Sequence, residues 1–281
     1  MRTRTAITAI ARAGFVAKGL VYLMVGLLTM QTTIGMRGET SDATDALRAF
    51  INQPFGSVLL TIIIVGLIAH ALWKLIRGVK DPENRGSGAK IALLRTSDVL
   101  IGFLYIGMSY AAFQILRGLN AADGDETTKV WVERVLHLPF GRWLVMVAAG
   151  LLLIGGLVQF YSSWKATFES EFSEKSMSKT ELGVVRWLGR IGVAAWGVVY
   201  CMMAFLFYRA SVNFDAEEAG GLSDALTALR EQPYGIWILG IMAGGMIIYG
   251  IYLLALSYYH KVFEEGLGGG EVSDRSATTA A

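Results

Sequence analysis

Four ionisable side chains stand inside or at the edge of long apolar runs: Lys18, His70, Lys74 and, at a margin, Asp98. A charge at the centre of a bilayer costs about 2.5–3.5 kcal/mol even on lenient scales, so such residues are the first candidates for a proton relay, an ion path or a ligand contact. Lys18 lies six residues into its run and Lys74 two residues from the end of its own; both stems are long enough to snorkel to the headgroups. His70 is deeper and one helical turn from Lys74, which favours its neutral form, and a hydrogen-bonded packing role competes there with proton transfer. None of Lys18, His70 and Lys74 recurs at the matching positions further along the chain, so threefold ion chemistry is not expected.

Other chemistry finds little support. His70, His137 and His260 are far apart and none has a His or Cys at i+3 or i+4, so no metal site is expected. The glycines at 266–270 lack a following Lys-Ser and a preceding strand, which argues against a nucleotide site. No serine sits on a recognisable nucleophile elbow. The expectation is a protein with no catalytic residues and no cofactor. A net charge of +2 gives no general surface for polyanions, so nucleic acid is not an expected partner. The single Cys201 cannot close an intramolecular disulfide.

The elements that hold these residues follow from composition. Hydrophobic residues make up 54% of the 281 and mean hydropathy is +0.48, against about 45–50% apolar residues in soluble domains. Six apolar runs extend from Ala13 to Met30, Val58 to Ile76, Val99 to Leu116, Trp143 to Phe160, Ile191 to Tyr208 and Ile236 to Tyr258. Each matches the ~20 residues that a helix needs to cross the hydrocarbon layer. Backbone amides in lipid must be paired within their own segment, and no two-residue alternation of a barrel strand is present, so the runs predict an all-α polytopic membrane protein. Arg2, Arg4 and Arg12 precede the first run, as in a secretory leader. No cleavage site follows at Thr32-Thr33-Ile34 and the run has two counterparts downstream, so it is expected to be a retained helix. With the N terminus inside, fifteen Lys and Arg fall on the inner side and eight on the outer; the positive-inside bias then places both termini in the cytoplasm. Trp73, Trp164 and Trp187 would form one interfacial belt and Trp131, Trp143 and Trp237 the other, leaving Trp196 inside the layer.

A triplication appears when three prolines are aligned. Gln53-Pro54-Phe55-Gly56, Leu138-Pro139-Phe140-Gly141 and Gln232-Pro233-Tyr234-Gly235 stand at the starts of the second, fourth and sixth runs, where proline in a first turn would cost no hydrogen bond. The first, third and fifth runs share a second pattern: Arg12, Gly14, Gly19, Tyr22; Arg95, Ser97, Gly102, Tyr105; and Arg190, Gly192, Gly197, Tyr200. Arg to Tyr is ten residues each time, and Tyr to Pro is 32, 34 and 33. The chain therefore divides into two-helix repeats at 10–88, 93–178 and 188–265, with a disordered cytoplasmic tail at 266–281 rich in Gly, Ser, Thr, Ala and charge. An even number of spans per copy makes the copies parallel, as in a pseudo-threefold bundle.

Ahead of each proline a short stretch carries one apolar face: Leu47, Phe50, Ile51; Val132, Val135, Leu136; Leu222, Leu226, Leu229. These read as helices lying on the outer membrane surface, with Ser41, Thr128 and Ser223 as N-caps. Tyr22, Tyr105 and Tyr200 each sit between small residues at four-residue spacing, which suits either a packing seam or three tyrosines around a polar axial cavity. Arg12, Arg95 and Arg190 should fall at the cytoplasmic interface, as topology anchors or as contacts for anionic lipid or a protein partner.

The paired helices, the Gly-x-x-Tyr of the odd runs and the amphipathic stretch ending in Gln-Pro-Phe-Gly resemble the bacterial membrane-protein family of domain of unknown function 1206. The resemblance spans nearly the whole chain. Copy two departs from it most, with Leu138 for Gln and Ser97 for Gly. It implies a multi-pass protein of the bacterial inner membrane and carries no activity or catalytic residues with it. Two functions remain open: a non-enzymatic scaffold, lipid-associated or partner-regulating bundle, or a small-molecule or ion transporter using a central cavity. A dry axis favours the first and a continuous polar cavity the second.

Overall fold

Residues 2–36, 38–81, 88–168 and 178–259 are described by the computed structural model. The expected tail at 266–281 and His260 lie outside them. Among the described residues the regular structure is α1 (Arg2–Thr33), α2 (Ala43–Ile51), α3 (Gly56–Lys80), α4 (Ala89–Leu116), α5 (Gly124–Leu136), α6 (Gly141–Lys165), α7 (Lys179–Asn213), a 3-10 turn at Ala216–Glu218, α8 (Leu222–Arg230) and α9 (Gly235–Tyr259), with no strand. Six of these helices, α1, α3, α4, α6, α7 and α9, are long and apolar enough to cross a membrane. The three short helices α2, α5 and α8 roof one end of the bundle.

The aligned prolines do not occupy the first helical turns. Pro54, Pro139 and Pro233 stand two residues ahead of α3, α6 and α9, in four-residue turns closed by Gly56 N–H to Gln53 O (2.8 Å), Gly141 N–H to Leu138 O (2.8 Å) and Gly235 N–H to Gln232 O (2.7 Å). The third turn residue is left-handed, with φ of 59°, 63° and 62° at Phe55, Phe140 and Tyr234. Proline then a left-handed residue is the type II arrangement, and an L side chain there costs about 1–2 kcal/mol. The glycine that follows has no freedom to vary, because a Cβ would collide with the carbonyl oxygen of Ile51, Val135 or Arg230 as the short helix runs into the long one.

Capping also differs from expectation. Asp42, not Ser41, caps α2, in a reciprocal box with Asp45; Thr128 and Ser223 lie inside α5 and α8, whose N-caps are Asp123 and Gly221. The amphipathic faces turn onto the bundle rather than into lipid: Leu47, Phe50, Val132, Leu136, Leu226 and Leu229 are buried in the core clusters. Trp73 is fully buried and belongs to no belt, whereas Trp131, Trp143, Trp164, Trp187 and Trp237 are exposed.

Three seams join one repeat to the next, and all three close on the same two repeat positions. Ala71 of α3 meets Gly102 of α4, Gly156 of α6 meets Gly197 of α7, and Gly250 of α9 meets Gly19 of α1. A Cβ on Gly102 would lie 3.2 Å from Ala71 O, on Gly156 2.9 Å from Gly197 O, and on Gly250 2.8 Å from Gly19 O. With no hydrophobic drive between helices in lipid, such close backbone approach is what holds them. The third seam returns the chain to its first helix, so repeat three packs on repeat one.

Seams within a repeat are unequal. In repeat one Gly14 packs on His70 and Ala17 on Gly66; in repeat three Gly192 packs on Tyr249 and Ala195 on Gly245. Repeat two has Ser97 with Gly155 and Leu100 with Leu151 at those positions. Gly155 meets nothing within 4 Å, and Leu100 and Leu151 are 60% and 57% exposed. Two leucines stand in place of the Ala and Gly that allow close approach in the other repeats, and α4 and α6 do not pack side by side. Half of each of the α3 and α9 spans is buried, against 17% of α6.

Candidate functional site

The axis is filled by aromatic rings around one ammonium. Lys18 Nζ lies 5.7 Å from the Tyr22 ring centroid, 5.9 Å from Tyr105 and 5.7 Å from Tyr249, so it does not snorkel but turns inward as a cation–π partner. Tyr22 stands edge-on to Trp196 at 4.9 Å, and Trp196 lies 5.5 Å from Tyr200. His70 is fully buried between Tyr105 (4.6 Å) and Phe15 (5.5 Å). The three tyrosines thus gather around Lys18 and Trp196. Trp196 and Tyr249, which sequence reasoning passed over, complete the plug; their signal was register, since Trp196 occupies the Lys18 position and Tyr249 the His70 position of repeat three.

Lys74 also differs from expectation. Its Nζ donates to Asp98 Oδ1 at 3.0 Å across the α3–α4 seam, while Arg77 donates from Nε to Asp98 Oδ2 (2.9 Å) and from Nη2 to Oδ1 (3.0 Å). Asp98 is 3% exposed, so the marginal acid of the sequence is the centre of a buried triad. The three repeated arginines part company. Arg95 donates to the Gly78 and Val79 carbonyls at 2.8 and 2.6 Å and so caps the C-terminal turn of α3, whereas Arg12 and Arg190 are exposed.

Above the plug the roof helices are tied in a ring by their N-terminal ends. Asp42, which caps α2, accepts from Gly124 N–H at the start of α5 (2.9 Å). Asp125 of α5 accepts from Asp224 N–H at the start of α8 (2.9 Å). The circuit closes through Thr40, whose Oγ1 lies 2.8 Å from Ser223 Oγ and 2.7 Å from Thr227 Oγ1. Helix N-termini attract carboxylates, and this explains the glycines at 124 and 221: a Cβ at either would strike the neighbouring carboxylate. Burial, then the charges of Asp224 and Asp42, push the Asp125 carboxyl up to about 7, and burial raises that of Asp42. Asp42, Asp45 and Asp123 bring oxygens within 4.8 Å of one another, a spacing a metal could bridge. Arg48 is the cation there, donating from Nη1 to Asp45 and Asp123 and from Nη2 to Ala121 O.

Two cavities meet at this collar. A pocket of about 240 Å³ lies on the axis, floored by Tyr22, Trp196 and Tyr200 and rimmed by Asp42 and Asp125. A cleft of about 1150 Å³ opens sideways between α4 and α6 beneath α5, walled by Phe103, Leu104, Trp131 and Leu144. Asp42, Ala43, Gly124 and Thr128 line both. The volume of the cleft has a readable origin: Gly107, Ala111 and Ala148 stand where repeat one has Met24, Leu28 and Ile63 and repeat three has Met202, Leu206 and Met242.

These features define a multi-pass helical membrane protein of three two-helix repeats closed around an aromatic plug. The sequence profile described as Domain of Unknown Function (DUF1206) matches three times, over residues 13–81, 99–166 and 191–260. The chain belongs to that family. It is 29% identical over 264 residues to the uncharacterized protein YxxB of Bacillus subtilis (strain 168), covering 94% of this chain and 95% of that one. No solved structure matches.

Proposed function

We propose that this is a non-enzymatic, lipid-associated bundle of the bacterial inner membrane, with both termini cytoplasmic, whose open α4–α6 seam holds a lipid chain. The observation that carries the reading is the cleft itself: about 1150 Å³, above the ~300–1,000 Å³ of ordinary ligand pockets, with predominantly apolar walls that suit an acyl chain. It lies between the two least buried spans, where the bilayer supplies such chains directly. The filled axis around Lys18 supports this reading over transport along the threefold axis. The excess of Lys and Arg on the terminal side supports the orientation. Arg12 and Arg190, exposed on that side, suit anionic headgroups or a protein partner.

Native mass spectrometry of the full chain released from lipid nanodiscs tests this. One retained lipid per chain is expected, and Gly107→Met with Ala148→Ile, which install the bulk seen in the other repeats, should abolish retention. A wild-type chain that carries no lipid, or a filled variant that keeps it, rejects the reading.

A further inference from the structure

We infer that the cleft selects a lipid with a primary ammonium headgroup, seated against the carboxylates of Asp42 and Asp125. The inference rests on the acyl-chain reading above and adds what the polar end recognises. Among the collar carboxylates, Asp45 and Asp123 share an ion pair with Arg48, and Asp224 lies 3.5 Å from Lys129 Nζ. Asp42 and Asp125 receive backbone N–H groups from Asp45, Gly124 and Asp224 and form no ion pair among the described residues. Asp125 Oδ1 is buried without a hydrogen-bond partner. Asp42 is 5% exposed, yet it lines both the cleft and the axial pocket.

An acyl chain lying between Phe103 and Leu144 therefore ends against Asp42, beyond which the axial pocket holds Asp125. Neither acid forms an ion pair among the described residues, although Arg48 and Lys129 stand near. An ammonium supplies the missing charge, and its N–H donors match acceptors whose remaining lone pairs have no donor. A phosphate or carboxylate terminus would add negative charge to a partly buried acidic site and is rejected. A quaternary ammonium supplies charge but no N–H donor, so it fits less well.

The probe is a nanodisc holding equal parts of phosphatidylethanolamine, phosphatidylcholine and phosphatidylglycerol with identical chains, from which the full chain is released and its retained lipid identified by mass. Phosphatidylethanolamine should be retained roughly tenfold over each of the other two lipids, the weight of one charge-assisted hydrogen bond. Asp42→Asn should return the retained lipid to bulk proportions while one lipid per chain persists. Asparagine is as good an N-cap as aspartate, so α2 is kept, and Asp125→Asn gives a second variant that leaves that cap untouched. Retention in bulk proportions, equal enrichment of phosphatidylcholine, preference for phosphatidylglycerol, or a preference that survives both substitutions overturns the inference and leaves the acyl-chain reading standing. Absence of any retained lipid removes both.

Discussion

Repeat one and repeat two share the same turn, the same odd-helix glycine and the same tyrosine, yet one is sealed and the other stands open. The difference lies in a handful of side chains. Where repeat one has Ala17 against Gly66, repeat two has Leu100 and Leu151; where repeat one fills its interior with Met24, Leu28 and Ile63, repeat two has Gly107, Ala111 and Ala148. Large residues are incompatible with close approach at one level and small ones leave space at another. A triplicated bundle can thus keep all three seams between repeats while giving up one seam within a repeat. Lipid packing does the rest, because helix association in a bilayer depends on close fit and not on a hydrophobic drive.

The comparison can be broken most severely at α4, which lacks α6 as a neighbour and is held by α3. Asp98→Asn leaves Lys74 and Arg77 facing a neutral amide in a buried seam, and a loss of about 3–5 kcal/mol is expected, read as a fall in midpoint in a detergent-resolved thermal unfolding assay. An unchanged midpoint would mean that the triad does not hold the seam. Next come adjacent glycines that face different surroundings on the same helix. Gly156→Val should cost about 1–3 kcal/mol, because its Cβ position is 2.7 Å from Cys201 Sγ, whereas Gly155→Val faces open space and should stay within about 0.5 kcal/mol. Equal effects at the two positions would contradict the described register.

Two smaller effects sharpen the contrast. Leu100→Ala with Leu151→Gly copies the sealed pattern into repeat two and should bring α4 toward α6, shortening a spin-label distance across the cleft by several ångströms on the scale of one helix contact; no shortening means that other residues hold the gap. At the collar, the raised Asp125 carboxyl makes the folded state bind the proton more tightly than the unfolded chain. Its stabilising effect is complete below the usual aspartate range near pH 4 and is lost as pH rises through about 7. Asp125→Asn should flatten that slope and raise Tm at pH 8 by about 2–4 °C, the equivalent of ~1 kcal/mol. A variant whose melting still falls from pH 4 to 7 would place the titration elsewhere.

Much of the architecture was legible because lipid imposes strong rules. Run length gave the spans, and alignment of Pro54, Pro139 and Pro233 gave the repeat. The gathering of Tyr22, Tyr105 and Tyr200 was one of two arrangements that their register left open. What stayed hidden depended on partners on other helices. Lys18 and Lys74 looked able to snorkel because nothing local shows that three rings or Asp98 await them. The surface helices looked lipid-facing because an amphipathic face does not say which apolar medium covers it. The cleft was written in the substitutions at 100, 107, 111, 148 and 151, but their meaning required knowing which positions oppose each other across a seam.

The central claim is that lipid enters between α4 and α6 and nowhere equivalent. Reconstitution with a phospholipid bearing a photoactivatable diazirine near the middle of its chain, followed by peptide mapping, tests it with the other repeats as internal controls. Adducts are expected on the Gly107–Ala111 segment and on Ala148, with none on Ile63 or Met242 at the same repeat position. Labelling of Ile63 and Met242 equal to that of Ala148, or no labelling at all within the cleft, would contradict the account.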